Sequence, residues 1–110
     1  MKDINESDWK VFRKLKPVVL DRFCERILAE AGAASADASK SPHERYLAVY
    51  RLLQDRDEEL ARAFNGMSRS NAVMQLIAMQ SLDILTSDEV AGFSEEVQQT
   101  LQSFDDLRRK

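Results

Sequence analysis

The most continuously apolar part of the chain is the stretch 68–85. Its hydrophobic side chains fall at almost every angle around a helix, and Asp83 is the only charge after Arg69. They are Val73, Met74, Leu76, Ile77, Met79, Leu82, Ile84 and Leu85. A helix that is apolar nearly all round is surrounded by other elements. The pattern therefore predicts a central core helix over 69–85.

A second helix is predicted over 43–65, where apolar and aromatic residues recur at helical spacing. These residues are Tyr46, Val49, Tyr50, Leu53, Leu60 and Phe64. The start is marked by Ser41, Pro42 and Glu44, which have the order of an N-cap, a first-turn proline and the acid of a capping box. Gly66 is suited to end the helix.

The first helix is predicted over 8–31, with a break near 16–17. Its apolar stripe consists of Trp9, Phe12, Val19, Leu20, Phe23 and Ile27. Ser7 is the expected N-cap, Gly32 the expected end, and residues 1–6 are expected to be frayed. Pro17 removes a backbone donor and disfavours helical geometry at Lys16. A continuous helix would also point Lys16 from the apolar face, whereas a break could turn it to water.

Two shorter helices are predicted over 87–92 and 95–108. Thr86 and Glu89 have capping-box spacing, and Ser94 precedes two acids that suit a helix start. The chain thus predicts an all-α protein, a compact bundle of four to five helices with a central apolar helix. With 110 residues, we expect a single domain over 1–110.

Composition supports a folded helical chain. Hydrophobic residues make up 44% and charged residues 32%, with only 3 Gly and 2 Pro, which is too apolar for disorder and poor in turn formers. The N-terminus has no apolar targeting segment, and the longest uncharged run, 70–82, is too short to span a bilayer. We expect no membrane partner and a cytoplasmic location.

Charge argues against nucleic-acid binding. The formal net charge is −3, and no region has the positive excess that neutralises a phosphate backbone. The basic residues of the first helix scatter around it among acids: Lys10, Arg13, Lys14, Lys16, Arg22 and Arg26. A nucleic-acid-linked regulator that uses this helix is kept as an alternative.

The chain offers little for catalysis. It contains one histidine, His43, and one cysteine, Cys24, and lacks a glycine-rich phosphate loop or a nucleophile elbow. We therefore assign no catalytic residue, no cofactor-binding residue and no metal ligand, and expect no cofactor. Enzymatic activity is disfavoured on this pattern.

Asp57 is the most unusual position, because it falls near the centre of the face that Tyr46 and Tyr50 begin. A carboxylate there must reach water, pair with a cation or shift its pKa upward. It could contact a ligand or partner in a groove. Alternatively, it could form a structural ion pair at the rim of the core, with Arg13 or Arg69.

The favoured hypothesis is a non-enzymatic protein–protein interaction module that self-associates. The chain has more large apolar faces than one small bundle needs, and a two-fold dimer would cover them. The candidate contacts are Asp57, Tyr46, Tyr50, Trp9 and Phe12. Trp9 and Phe12 lie in the part of the first helix that precedes Pro17. A small-ligand binder or enzyme with a groove near Asp57 is the further alternative.

Overall fold

The computed structural model describes residues 3–109, which form five α-helices and no strand. The helices are α1 (Glu6–Ser35), α2 (Pro42–Phe64), α3 (Ala72–Ser81), α4 (Ser87–Ala91) and α5 (Glu95–Arg109). The predicted all-α class is confirmed. The bounds of α2, α4 and α5 agree with the prediction to within one residue, and both predicted capping boxes are formed.

The predicted N-cap at Ser7 is wrong, because Asn5 caps α1 instead. Its Oδ1 accepts a hydrogen bond from the backbone N–H of Asp8 at 2.8 Å. The preceding Ile4 is buried and lies beside the backbone of Arg69, so tertiary packing sets where the helix begins. Of the predicted frayed segment 1–6, residues 3–6 are placed in the structure, and residues 1–2 lie outside the described part.

The predicted break at Pro17 is also wrong: α1 runs through it without interruption. Lys16 consequently does point into the protein, where it is buried. Its ammonium donates a hydrogen bond to the carbonyl of Gly66 and lies 5.8 Å from the centre of the Phe12 ring. Since the folded chain supplies an acceptor, no break is needed to bring Lys16 to water. Burial lowers the pKa of Lys16 below its usual value.

Helix α1 does not stop at Gly32, which lies inside it; the helix ends at Ser35 and is capped by Ala36. Only Gly66, of the glycines, has the left-handed backbone conformation (φ 79°) that typically ends a helix. Gly32 adopts ordinary helical geometry between good helix formers, so the pattern misplaced the end by four residues.

Helix α3 is shorter than the predicted 69–85 at both ends. It begins at Ala72 after a turn in which the N–H of Asn71 donates to the carbonyl of Ser68 at 3.2 Å. It ends early because Asp83 adopts a left-handed conformation with φ 59°. The N–H groups of Asp83 and Ile84 donate to the carbonyls of Gln80 and Met79 at 3.0 and 3.3 Å, the bonding pattern of a Schellman cap. Leu76 and Met79 are fully buried, whereas Met74 is exposed. The helix thus packs into the core on most sides and is open on one.

The core lies where α1, α2, α3 and α5 meet. Its largest fully buried side chains are Phe12, Phe23, Leu76, Met79, Leu101 and Val19. Several polar contacts fasten α1 to the C-terminal half of the chain, and two of them involve carboxylates. Buried Asp8 accepts hydrogen bonds from the N–H and hydroxyl of Ser94 at 2.8 and 2.6 Å. Arg22 forms a two-pronged ion pair with Glu89, both distances being 2.8 Å.

The bundle is elongated. Its radius of gyration is 16.4 Å and its dimensions are 51 × 30 × 23 Å, whereas a compact chain of this length has a radius of gyration of about 13 Å. The buried residues of α1 end at Ile27, and those of α2 are only Ala63 and Phe64. Between Ile27 and Ala63 the two long helices therefore extend away from the core. We call residues 24–60, which include the last buried turn of α1, the arm.

Candidate protein interface on the arm

Four large, exposed apolar side chains lie on the arm, where the predicted contacts Tyr46, Tyr50 and Asp57 also lie. Tyr46 is 63% exposed, Tyr50 51% and Leu53 44% on α2, and Leu28 on α1 is 65% exposed. The rings of Tyr46 and Tyr50 stack with their centres 6.3 Å apart. These side chains form a continuous apolar strip on the surface of one chain.

The strip is exposed because α2 uses a neighbouring face to pack against α1. Half-buried residues lie one position before the exposed ones, about 100° around the helix: Val49, Leu52 and Arg56. Arg56 donates to Glu30 of α1 at 2.9 Å and also pairs with Glu59. The hydrogen bond from Arg56 holds the pKa of Glu30 below its usual value. These contacts fix α2 on α1 and leave its tyrosine face uncovered.

A groove of about 520 Å³ runs between the two helices of the arm. Its lining comes from Cys24, Ile27 and Leu28 of α1 and from Tyr50, Leu53, Gln54, Arg56, Asp57 and Leu60 of α2. Aliphatic and aromatic side chains dominate it, and Ile27 is its most buried member. The surface is suited to an apolar partner rather than to a charged one.

Asp57 is exposed in this groove. Within residues 3–109 it forms no ion pair, and Arg69, one of its two predicted partners, pairs with Glu6 at 3.0 Å. Of the two interpretations offered by the sequence, the ion pair at the core rim is therefore not formed. The carboxylate reaches water at the edge of an apolar groove, and the structure brings it together with Tyr50.

Trp9 and Phe12 lie elsewhere. Phe12 is fully buried in the core, and Trp9 is half-buried beside it with the ring centres 5.9 Å apart. The N-terminal turns of α1 thus cover their own bundle, and Phe12 presents no surface to a partner. Sequence reasoning missed Leu28, although its spacing of four residues from Cys24 would have placed both on one side of α1.

The basic residues of α1 are divided by the fold. Lys10, Arg13 and Lys14 share one exposed side, around a shallow depression of about 350 Å³. Arg22 is engaged by Glu89, and Arg26 donates to the carbonyl of Leu82 at 2.7 Å. Three exposed cations remain on that side, in a chain whose formal net charge is −3. This is a small positive charge for binding a phosphate backbone.

Across residues 3–109, no group of three or more His, Cys, Asp and Glu side chains is placed to hold a metal ion. None of the helices in this range is long and apolar enough to cross a membrane. Comparison of the chain with protein-family models, curated proteins and solved structures finds no match.

Proposed function

We propose that this protein is a protein–protein interaction module that self-associates through the arm, with a second copy of the chain in the groove. The observation that carries the proposal is the exposed strip of Leu28, Tyr46, Tyr50 and Leu53 beside an apolar groove. Contiguous apolar surface of a few hundred Å² usually marks an interaction site.

The size of the strip suits a dimer. Four large side chains that are about half exposed leave on the order of 400 Å² of surface. A standard interface buries about 800 Å² on each partner, a little over half of it non-polar. The apolar area of the strip thus approaches what one partner contributes, and the surrounding polar residues can supply the rim.

The shape of the arm favours a second copy as the occupant. In an isolated pair of helices, each helix covers only the face of the other helix that it contacts. Any further apolar face stays exposed to water. Two such pairs related by a two-fold axis form a four-helix bundle in which each pair covers the other. Both chains use the same surface, so the dimer leaves no copy of that surface uncovered and requires no other kind of protein.

Sedimentation equilibrium tests the proposal. We expect the wild type at micromolar concentration to have twice the 12.6 kDa mass of one chain. The double variant Tyr50→Glu, Leu53→Glu should sediment as a monomer, because it places four carboxylates in the interface of each dimer. Leu107→Glu is the matched control: Leu107 is just as exposed but lies on α5, and this variant should remain dimeric.

Circular dichroism should show equal helix content in all three proteins. A wild type that sediments at 12.6 kDa throughout the micromolar range would contradict the dimer.

The groove volume also lies in the range of small-molecule sites. A monomer whose melting temperature rises with a long-chain amphiphile, with the rise lost in Asp57→Asn, would favour ligand binding instead.

A further inference from the structure

We propose that α2 pairs with α2 of the partner subunit in an antiparallel register that places Asp57 opposite Tyr46 of the partner subunit. This inference rests on the proposed self-association and specifies its geometry. It assigns Asp57 the role of fixing the register, through a hydrogen bond that only the second copy can complete.

The spacing of the strip is that of a coiled-coil seam. Steps of four and three residues alternate along α2 through 46, 50, 53, 57, 60 and 64. This repeat of 3.5 residues aligns one face of a helix with a parallel or antiparallel neighbour. In heptad terms, Tyr50, Asp57 and Phe64 occupy one seam position, and Tyr46, Leu53 and Leu60 occupy the other.

In a two-fold antiparallel pair, residues at one seam position face residues at the other seam position of the partner subunit. Each register is then defined by one number, the sum of the residue numbers of any two facing residues. A sum of 103 pairs Tyr46 with Asp57 and Tyr50 with Leu53, twice over. A sum of 110 would set Tyr46 against Phe64. Phe64 is buried and stacks on Phe23 of its own chain at 6.3 Å, so it is not free to face a partner.

A sum of 96 would leave Asp57 and Leu60 beyond the end of the facing helix, because their counterparts would be residues 39 and 36, which precede α2. The register with a sum of 103 is therefore the one in which Tyr46, Tyr50, Leu53 and Asp57 all face a residue of α2 that is not buried in its own chain. It covers the whole exposed strip of that helix.

The chemistry of the two tyrosines agrees with this register. The hydroxyl of Tyr50 already accepts a hydrogen bond from Gln54 at 3.2 Å. Tyr46 is the more exposed ring, and its hydroxyl can donate to the Asp57 carboxylate of the partner subunit. A carboxylate covered by an apolar partner needs such a donor. In the register with a sum of 110, Asp57 would face Leu53, which has none.

Repulsion between the two copies of Asp57 is small in this register. The axis passes between residues 51 and 52, so the two carboxylates are separated by 11 helical positions, or about 16 Å along the pair. That distance exceeds the screening length of about 8 Å at physiological salt. A polar residue at one seam position is a recognised way to select a single register of a helical pair.

Disulfide trapping tests the register. Tyr50→Cys and Leu53→Cys are made separately in a Cys24→Ala background, one carrying an affinity tag, and the two proteins are mixed and oxidised. We expect a cross-linked heterodimer from this mixture. A mixture of Tyr50→Cys with Leu60→Cys reports the register with a sum of 110 and should give little product.

A second measurement uses the tyrosines as matched variants. Tyr46→Phe should raise the dimer dissociation constant at least tenfold, because it removes the donor to Asp57 from both halves of the dimer. Tyr50→Phe, which keeps the ring and lies one turn along the same strip, should change it by less than threefold.

The outcomes separate this register from the proposed function. A wild-type dimer in which the 50/60 mixture cross-links and the two tyrosine variants behave alike would overturn the register and leave self-association standing. A monomeric wild type with no cross-link in either mixture would overturn both.

Discussion

At the scale of single residues, α1 is anchored by acids whose hydrogen bonds go to distant parts of the chain. Asp8 illustrates this. From its place in the first turn it interacts favourably with the dipole of α1, but it is buried and accepts both the N–H and the hydroxyl of Ser94. One carboxylate therefore serves the start of α1 and the start of α5.

Replacing Asp8 by alanine should lower the free energy of unfolding by about 1–3 kcal/mol, because the Ser94 donors lose their acceptor in a buried place. Glu6→Ala is the matched control: Glu6 lies in the same turn but pairs with Arg69 at the surface, so its loss should cost less than about 1 kcal/mol. Urea unfolding measures both values. Equal losses of the free energy of unfolding in the two variants would show that the Ser94 contact stabilises the protein no more than the surface ion pair of Glu6 does.

Glu89 should make stability depend on pH in the acid range. The hydrogen bonds from Arg22 lower the pKa of Glu89 from 4.5 to about 2. A carboxyl group with a depressed pKa stabilises the folded state above its unfolded pKa, and this contribution is lost as the pH falls through the folded pKa. The free energy of unfolding should thus decline between about pH 4.5 and pH 2.

The Glu89→Gln variant should be less stable than the wild type at pH 7 and should lose less between pH 5 and pH 2.5, in the same urea experiment. Glu95→Gln, an exposed acid at the start of α5, is the control and should follow the wild-type curve. A Glu89→Gln variant that tracks the wild type at every pH would contradict the assignment.

At the scale of elements, α1 is a 30-residue helix that tolerates an internal proline. Pro17 is exposed and cannot donate to the carbonyl of Arg13, so one backbone bond of the helix is missing. Burial of Phe12 and Phe23 on either side of it offsets that loss. The tertiary contacts of the two flanking segments therefore hold the helix continuous.

Pro17→Ala should consequently raise the free energy of unfolding by about 1 kcal/mol or more, since alanine restores the donor without disturbing a break. Val18→Ala, at the exposed neighbouring position, is the control and should change stability by less than about 0.5 kcal/mol. Thermal melts followed by circular dichroism compare the two. A less stable Pro17→Ala protein would mean that the proline favours the native geometry.

At the scale of the whole molecule, the core and the arm differ in how their helices are covered. Around the core, buried residues of α3 and α5 join those of α1 and α2 in one apolar cluster. Along the arm the two helices pack mainly on each other, with a hydrogen bond from Arg26 to the carbonyl of Leu82 near its base, and α2 displays a second apolar face. Association through the arm would therefore leave the core unchanged, and the N-terminal turns that hold Trp9 and Phe12 belong to the core.

By itself, the sequence determined the helical class, the bounds of α2, α4 and α5, and the tyrosine face around Asp57. These follow from local signals: periodicity of apolar residues, capping boxes and the scarcity of turn formers. Local rules are reliable where the groups that satisfy each other lie within a few residues, as Ser41 and Glu44 do.

The tertiary structure alone decided the continuity of α1 and the burial of Phe12. Each depends on groups far apart in the chain: Lys16 meets the carbonyl of Gly66, and Asp8 meets Ser94. The same holds for the groove, since which of the two apolar faces of α2 stays open depends on how α1 docks. Contacts between distant residues have no local pattern, so they emerge only when the helices are packed.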